Sequence, residues 1–294
     1  MLTYCRMEVT ILKPQGYCAG VLNAIKIAYK AKEEHQTEEV YILGMLVHNQ
    51  KVIDELTSKG ITTLYRDNKT DEELLYSLKD GSVIVFSAHG HKHNLDEIAK
   101  DKKFIVYDAT CPKVLNNLNL IKDEINNNHQ VIYIGHKNHP EALAALSINE
   151  QVFFYDIKSE FDYKKVKDKS PLVINQTTLN TKELKEIYID IIIHKPKARI
   201  MDEICAATRL RQEALEKIDD NIDLILIVGD KKSSNTNRLL EIAKSSHPNI
   251  PSYLVSDIEE VKQLEIKGNH VAIASGASTP LNEIDKIKKY LESR

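Results

Sequence analysis

Three cysteines lie at one regular spacing along the chain. Cys111 follows Cys18 by 93 residues, and Cys205 follows Cys111 by 94 residues. Each cysteine stands between a short apolar run and the start of a helical pattern, and the N-terminus of a helix favours the thiolate form of a cysteine. Thiolates bind metals or attack electrophiles, whereas a single buried cysteine is usually inert. The repeated spacing therefore indicates one site that is built from three repeats.

Three thiolates would leave one coordination position of a metal centre open. With zinc, that position would hold an activated water, and the site would be hydrolytic. With a cubane [4Fe–4S] cluster, one iron would lack a protein ligand and could act as a Lewis acid towards a substrate oxygen. The cysteine pattern alone leaves both alternatives open. Cys5 lies outside the register and is taken as incidental.

Polar loops repeat with the same period as the cysteines. His48, Glu141 and Asn235 occupy equivalent positions, 93 and 94 residues apart. Three further loops follow the last strand pattern of each repeat, and they contain His89, Gln176-Thr177-Thr178 and Ser275-Gly276-Ala277-Ser278. These loops carry mainly neutral hydrogen-bond donors, which together with helix N-termini suit a phosphorylated ligand.

Glu141 is the one carboxylic acid among the three equivalent loop positions. His139 precedes it by two residues, and the register brings Thr177 near it. A carboxylic acid beside an open metal position is a candidate proton donor. His139 titrates near neutral pH and is the competing candidate for that role.

Short β-rich runs alternate with helical runs along the whole chain. This alternation predicts an α/β fold of parallel sheets with crossover helices, in which ligand sites lie at the carboxyl ends of the strands. The period predicts three domains, 14–105, 106–198 and 199–294, with residues 1–13 packing against the third. Packing about a pseudo-threefold axis would bring the cysteine turns and polar loops together, although the period alone does not exclude a linear array.

Composition excludes several classes of function. A net charge of −3 and a pI near 6.4 leave no basic face for nucleic acid. No apolar run approaches the length of a membrane span, and the N-terminus lacks the apolar core of a signal peptide. The 4 cysteines never occur in close pairs, which is typical of a cytoplasmic protein and of neither a disulfide scaffold nor a zinc ribbon.

Nine short motifs occur in one order, namely GYCAGV, VHN, SAHG, DATCP, GHKNHPE, QTTL, ICAATRLRQE, SSNTNRL and SGASTP. From about residue 8 to the C-terminus, the chain thereby resembles the family of 4-hydroxy-3-methylbut-2-enyl diphosphate reductases. These enzymes catalyse the last step of the methylerythritol phosphate route to isoprenoids. The resemblance implies a cloverleaf of three α/β units around a central [4Fe–4S] cluster, one per chain. Its three ligands would be Cys18, Cys111 and Cys205, and one iron site would stay open.

The resemblance also implies roles for the loop residues. Glu141 would be the catalytic proton donor, relayed with Thr177. The substrate, an allylic diphosphate, would be bound by His48, His89, His139, Thr177, Ser233, Ser234, Asn235 and Ser278. The chain departs from the family at Asn23, where Arg is common, and residues 1–6 precede the family's usual start.

The reaction implied by the resemblance is a reductive dehydroxylation. Two electrons would come one at a time from an external ferredoxin or flavodoxin, and the hydroxyl group would leave as water. Isopentenyl diphosphate and dimethylallyl diphosphate would both form.

Two other functions stay open from the residues alone. One is a redox-inert enzyme, either a three-cysteine zinc hydrolase or a hydro-lyase that uses its cluster as a Lewis acid. The other is a non-catalytic sensor of a phosphorylated metabolite around a labile cluster. An acid placed beside the open position favours an enzyme over a sensor, and metal analysis separates zinc from iron–sulfur.

Overall fold

The computed structural model describes residues 7–294, so Cys5 lies outside the described residues. Within that range, short strands alternate with helices and form three four-stranded sheets. Neighbouring strands are parallel in every sheet, as a helical crossover between consecutive strands requires. The predicted α/β class, with small parallel sheets and flanking helices, is confirmed.

Two of the sheets come from the middle of the chain. The first has the strand order β3-β2-β4-β5, with strands β2(Val40–Leu43), β3(Ile61–Leu64), β4(Val83–Phe86) and β5(Ile105–Asp108). The second has the order β7-β6-β8-β9, with strands β6(Val131–Gly135), β7(Val152–Asp156), β8(Leu172–Asn175) and β9(Arg199–Met201). Both orders place the first and third strands of the sheet at its centre.

The third sheet joins the two ends of the described chain. Its order is β1-β12-β10-β11, with strands β1(Glu8–Ile11), β10(Leu224–Val228), β11(Ser252–Val255) and β12(His270–Ser275). Strand β1 pairs with β12 in a register that sets Glu8 opposite His270. Residues 8–11 therefore belong to a sheet whose other strands all come from the last 71 residues of the chain.

Each register cysteine (Cys18, Cys111 and Cys205) follows an edge strand. Strand β5 precedes Cys111 and β9 precedes Cys205, and each pairs with the strand before it in the chain. Strand β1 precedes Cys18 and takes the corresponding edge of the third sheet. The predicted boundary at 105/106 falls within β5, and the one at 198/199 falls just before β9. The division into three domains stays a prediction.

Helices connect the strands. They are α1(Ala19–Glu34), α2(Gln50–Ser58), α3(Asp71–Tyr76), α4(Asn94–Asp101), α5(Pro112–Asn126), α6(Pro140–Leu146), α7(Thr181–His194), α8(Ala206–Glu216), α9(Ser234–Ser246), α10(Ile258–Lys262) and α11(Leu281–Glu292). Within residues 7–294, no helix is both long and apolar enough to cross a membrane.

The apolar core lies on both faces of each sheet, as strand β10 illustrates. Leu224, Leu226 and Val228 pack in one core with side chains of α11, while Ile225 and Ile227 pack in another with side chains of α8 and α9. A continuous apolar run of this kind is typical of a parallel strand that is covered on both faces. Each of these buried side chains contributes about 1.5–3 kcal/mol to the free energy of unfolding.

The chain divides into two compact units. The C-terminal unit comprises residues 7–18, the segment His48–Gln50 and the segment Cys205–Arg294. The central unit comprises Ala19–Val47 and Lys51–Ile204. The third sheet thus lies in the C-terminal unit, and the first and second sheets lie in the central unit.

Candidate functional site

All three register cysteines lie where a strand gives way to a helix. Cys18 lies between β1 and α1, and Cys111 and Cys205 are the N-cap residues of α5 and α8. The last two have nearly the same backbone, with φ and ψ of −58° and 132° at Cys111 and of −60° and 136° at Cys205. Each of the three is half-buried and outside any disulfide. Because helix N-termini favour thiolates, these cysteines are suited to hold a metal centre.

In the C-terminal unit, the loop after β12 fixes the turn that ends at Cys18. The Gly16 N–H donates to Ser275 Oγ over 3.0 Å. The Cys18 N–H donates to the carbonyl oxygen of Ala277, also over 3.0 Å. Arg211 of α8 donates from Nη2 to the carbonyl oxygen of Gly16 over 2.7 Å. The turn is thus held both by the β12 loop and by the helix that begins after Cys205.

The N-terminus of α9 presents the predicted group Ser233-Ser234-Asn235. Ser233 caps the helix, and its Oγ accepts from the Thr236 N–H over 3.3 Å. Asn235 is 6% exposed, and within residues 7–294 neither Oδ1 nor Nδ2 of its amide has a hydrogen-bond partner. A buried amide without partners costs roughly 1–3 kcal/mol, so this amide is suited to a ligand. The positive end of the helix dipole favours an anionic one.

The segment His48–Gln50 is held by the loops that follow β10 and β12. Ser278 Oγ donates to the carbonyl oxygen of His48 over 3.1 Å. The Gln50 N–H donates to Asp230 Oδ2 over 2.7 Å. Thr279 links the loop after β12 to the end of β10, since its Oγ1 donates to the carbonyl oxygen of Val228 over 2.9 Å. His48 and Ser278 therefore lie side by side in the C-terminal unit.

In the central unit, the His89 loop lies against the Cys111 turn. The Cys111 N–H donates to the carbonyl oxygen of Ala88 over 3.0 Å. The rings of His89 and His139 meet edge to face, with their centres 5.7 Å apart. His139 caps α6, and its Nδ1 accepts from the Glu141 N–H over 3.2 Å. A neutral imidazole that accepts at Nδ1 carries its hydrogen on Nε2, so His139 is a hydrogen-bond donor through Nε2.

Glu141 is 3% exposed and is bonded by Thr177 at both carboxylate oxygens. The Thr177 N–H donates to Oε2 over 2.9 Å, and the Thr177 hydroxyl donates to Oε1 over 2.8 Å. Burial raises the pKa of Glu141 to about 7, although the hydrogen bonds from Thr177 lower it. A carboxyl group with this pKa holds a proton in a large fraction of molecules near neutral pH, as a general acid requires.

A second link joins the loops that carry Glu141 and Thr177. Gln176 Oε1 accepts from the His136 N–H over 3.1 Å, and Gln176 Nε2 donates to Thr178 Oγ1 over 3.0 Å. The loop after β6 is therefore bonded directly to the loop after β8. This connection keeps the Thr177 hydroxyl within reach of the carboxylate.

A buried polar network that the sequence did not predict lies behind the Thr177 loop. Asn175, at the end of β8, is fully buried, and its Oδ1 accepts from the Glu203 N–H over 2.9 Å and the Tyr188 hydroxyl over 2.8 Å. The Glu203 carboxylate forms an ion pair with Lys113 of α5. No local pattern could have revealed this network, because its members come from four separate segments of the chain.

Each unit brings together its own set of predicted residues. The C-terminal unit holds Cys18, His48, Cys205, Ser233, Ser234, Asn235 and Ser278. The central unit holds His89, Cys111, His139, Glu141 and Thr177. The roles of these residues stay predictions. The sequence did not single out Arg211 as a site residue. Its spacing carried a signal, because Arg211 lies four residues before Leu215 on α8, and residues four apart share one face of a helix.

Comparisons with known proteins agree on one family. The LytB protein family model matches residues 9–292. A 4-hydroxy-3-methylbut-2-enyl diphosphate reductase from Lysinibacillus sphaericus is 36% identical over 289 residues, which cover 97% of this chain and 88% of the relative. The enzyme of that name from Bacillus subtilis is 36% identical over 291 residues, which cover 97% of this chain and 91% of the relative.

A solved structure extends this similarity to the fold. It is the E-1-hydroxy-2-methyl-but-2-enyl-4-diphosphate reductase from Plasmodium falciparum, with a TM-score of 0.85 and 28% sequence identity. The match covers 97% of this chain and 88% of the Plasmodium chain. Because the family model and these relatives match nearly the whole chain, the chain belongs to the LytB protein family of reductases.

Proposed function

We propose that the chain reduces 4-hydroxy-3-methylbut-2-enyl diphosphate to isopentenyl diphosphate and dimethylallyl diphosphate. A [4Fe–4S] cluster would be held by Cys18, Cys111 and Cys205. Two electrons would come from an external one-electron donor such as ferredoxin or flavodoxin. The names of the relatives support the substrate, and cysteines that stay out of disulfides suit the reducing cytoplasm.

The observation that carries the proposal is the buried pair of Glu141 and Thr177. Reductive removal of a hydroxyl group consumes two electrons and two protons, and it releases one water. Hydroxide is a poor leaving group, so one proton must reach the substrate oxygen as the C–O bond breaks. Glu141, with its pKa raised to about 7 by burial, supplies that proton at neutral pH. The second proton ends on the carbon chain.

Neutral donors bind the diphosphate. The Asn235 amide donates from Nδ2 at the N-terminus of α9, where Ser233 and Ser234 add hydroxyl groups and the helix dipole adds a partial positive charge. Ser278 and His48 lie beside each other in the same unit. In the central unit, His139 donates through Nε2, because its Nδ1 already accepts from Glu141. These neutral groups would bind the diphosphate through hydrogen bonds.

The three cysteines fit an iron–sulfur cluster by their chemistry. They are half-buried, they stand at the starts of helices, and they are not used in disulfides. When bound, a [4Fe–4S] cluster supplies single-electron transfer and an open iron site, whereas zinc supplies neither electrons nor a redox change. The carboxyl group of Glu141 would supply the acid that the reaction needs.

The test is an anaerobic turnover assay with reduced methyl viologen as the electron donor. We expect oxidation of viologen that depends on 4-hydroxy-3-methylbut-2-enyl diphosphate, with formation of both isomeric products. The purified protein should be brown and contain about four iron and four sulfide per chain. Zinc-loaded, colourless protein that hydrolyses phosphate esters would point to the zinc hydrolase instead. A brown protein that binds the substrate without turnover would point to the sensor.

Serine variants test the ligand set. Replacing Cys18, Cys111 or Cys205 by Ser should abolish or cripple cluster loading, because each removes one of three thiolates. Cys5→Ser is the matched control, and it should load the same amount of iron and sulfide as the wild type. A Cys5→Ser protein without a cluster would show that the wrong three cysteines had been assigned.

A further inference from the structure

Arg211 is a buried cation in the C-terminal unit. It lies on α8, is 3% exposed, and uses all three guanidinium nitrogens as donors. Nε donates to the carbonyl oxygen of Ser275 over 3.1 Å, Nη1 to that of Ala207 over 2.9 Å, and Nη2 to that of Gly16 over 2.7 Å. All three partners are backbone carbonyl oxygens. They satisfy the donors, but a backbone carbonyl is neutral and does not balance the positive charge of the guanidinium group.

A second buried arginine is balanced in the usual way, by a carboxylate. Arg238 of α9 is 9% exposed and is paired with the Glu241 carboxylate one helical turn away. A buried charge without such a partner is expensive, so Arg211 needs negative charge from another source. Burial lowers the pKa of Arg211, whereas Cys18 and Cys205 raise it. In the proposed function, the cluster-bound thiolates of these two cysteines would supply that negative charge. Arginine nevertheless stays protonated at every accessible pH.

Two of the three carbonyl groups that Arg211 binds lie beside the cysteines, and the third, that of Ser275, ends β12. Gly16 precedes Cys18 by two residues, and Ala207 follows Cys205 by two residues. One rigid, planar group therefore spans both turns and bonds the backbone of each. A flexible ammonium group could not hold the same three carbonyls in a fixed fork. Arg211 thus fixes where the turns of Cys18 and Cys205 lie relative to each other.

We propose that Arg211 is a positioning residue for Cys18 and Cys205 and that its permanent charge raises the reduction potential of the cluster they hold. This inference rests on the proposed function, because it requires the cluster. Each reduction transfers one electron from the external donor to the cluster and makes the cluster and its thiolates more negative by one charge. A fixed cation in a buried environment stabilises the more negative state. The two effects of Arg211, geometric and electrostatic, are separable by substitution.

The experiment compares wild type, Arg211→Gln, Arg211→Lys and Lys217→Gln, each loaded with cluster under anaerobic conditions. Midpoint potentials are measured by redox titration followed by visible and electron paramagnetic resonance spectra, and cluster retention by the rate of iron loss to a chelator. Arg211→Gln keeps two donors but no charge. At the wild-type midpoint, its ratio of reduced to oxidised cluster should fall at least about threefold, a shift of about 30 mV at 59 mV per tenfold.

Arg211→Lys keeps the charge and loses the fork. It should keep the wild-type midpoint and release iron faster. Lys217→Gln is the matched control, because it removes a positive charge just after α8 from a side chain that is 76% exposed. Both of its measurements should equal those of the wild type, since water screens that charge.

The outcomes separate the inference from the proposed function. A fully loaded Arg211→Gln protein with the wild-type midpoint overturns the inference and leaves the proposed function intact. If Arg211→Gln takes up no cluster, Arg211→Lys decides: a wild-type midpoint with faster iron loss supports the inference, and a lowered midpoint overturns it. A wild-type protein that assembles no cluster overturns the proposed function, and the inference with it.

Discussion

Thr177 donates two hydrogen bonds to Glu141, from its N–H to Oε2 and from its hydroxyl to Oε1. The two oxygens are therefore not equivalent. A backbone N–H can only donate, so a proton placed on Oε2 would sacrifice that bond. The Thr177 hydroxyl can turn and accept, so a proton on Oε1 would keep a hydrogen bond to Thr177 Oγ1. If Glu141 is the proposed acid, the threonine hydroxyl would be the first group to receive its proton on the way to the substrate.

Glu141→Gln should separate chemistry from binding. The amide keeps the size and most hydrogen bonds of the carboxyl group but has no proton to give. We expect a full cluster and a KM near that of the wild type, with kcat lower by a factor on the order of 10²–10⁴. Glu150→Gln, at an exposed glutamate of the same unit, is the control and should be fully active. If Glu141→Gln turned over normally while His139→Asn was inactive with intact binding, His139 would be the acid.

Thr177→Val should show a weaker form of the same defect. Valine keeps the shape and the backbone N–H, and so keeps the bond to Oε2, but it removes the hydroxyl that faces Oε1. The expected loss in kcat is about 10- to 100-fold, at the lower end for a proton-transfer group. Thr177→Ser restores the hydroxyl and should recover most of the rate. Equal rates for the Val and Ser variants would remove Thr177 from the proton path.

Glu141 also sets a pH dependence of stability. Its pKa is about 7 in the folded protein, where burial disfavours the charge, and 4.5 in its ordinary environment. Between these two values the folded state holds a proton that the unfolded chain has released, so the free energy of unfolding falls as pH rises through this window. The protonated group's contribution is complete below about pH 4.5 and is lost above about pH 7.

The non-titrating Glu141→Gln variant makes this dependence measurable. Relative to wild type, it should gain up to about 3 kcal/mol as pH rises through the window, since each pKa unit corresponds to about 1.4 kcal/mol. Urea midpoints of the two proteins between pH 4 and 8, measured anaerobically, give the difference. Parallel pH profiles would mean that Glu141 has an ordinary pKa in the folded protein.

The repeat was predictable from the sequence. The sheet that the strand before each cysteine joins was not. The cysteines and loops mark the period directly, and each strand pattern is local. Whether β5 pairs with β4 depends on hydrogen bonds to a neighbouring strand, as does the pairing of β1 with β12. Edge pairing of this kind is a tertiary contact, which local propensity does not determine. The contact of Glu8 with a partner 262 residues later could not be read from either segment alone.

The sequence predicted which loops form the candidate site, but it did not predict the individual hydrogen bonds or the burial of the side chains. The register set Glu141 near Thr177, and their side chains are indeed 2.8 Å apart. The sequence could not show that Thr177 bonds both carboxylate oxygens of Glu141. Nor could it show that Glu141 is only 3% exposed, because burial depends on the surrounding elements. It also could not show that Arg211 points into the unit, since most arginines lie at the surface.

Asn235→Ala tests the anion site at α9. The amide is buried and has no hydrogen-bond partner within residues 7–294, so the protein loses no internal hydrogen bond when it is removed. Folding should therefore be unharmed, while substrate binding loses roughly 1–3 kcal/mol, seen as a KM about 5- to 150-fold higher. Asn249→Ala, at an exposed asparagine of the same unit, should leave KM unchanged. An unaltered KM in Asn235→Ala would place the diphosphate elsewhere.

Gly16→Ala tests the turn that carries Cys18. Gly16 has φ of +69°, where a side chain costs about 1–2 kcal/mol. A Cβ there would also lie 2.5 Å from Leu281 Cδ2, so the Leu281 side chain must move. Gly81→Ala is the matched control, because Gly81 has φ of +81° and a Cβ there meets no atom within 4 Å.

Comparison of the two glycine variants separates the steric effect of the Leu281 side chain from the cost of placing alanine at a positive φ. Both should lose about 1–2 kcal/mol of unfolding free energy from the backbone conformation alone. Gly16→Ala should lose more, and a second substitution, Leu281→Ala, should restore the excess. Gly16→Ala should also release iron faster than Gly81→Ala, because the shifted turn carries both Cys18 and the carbonyl group that Arg211 binds. Equal stability and equal iron loss in the two variants would mean that the turn tolerates a side chain and does not fix Cys18.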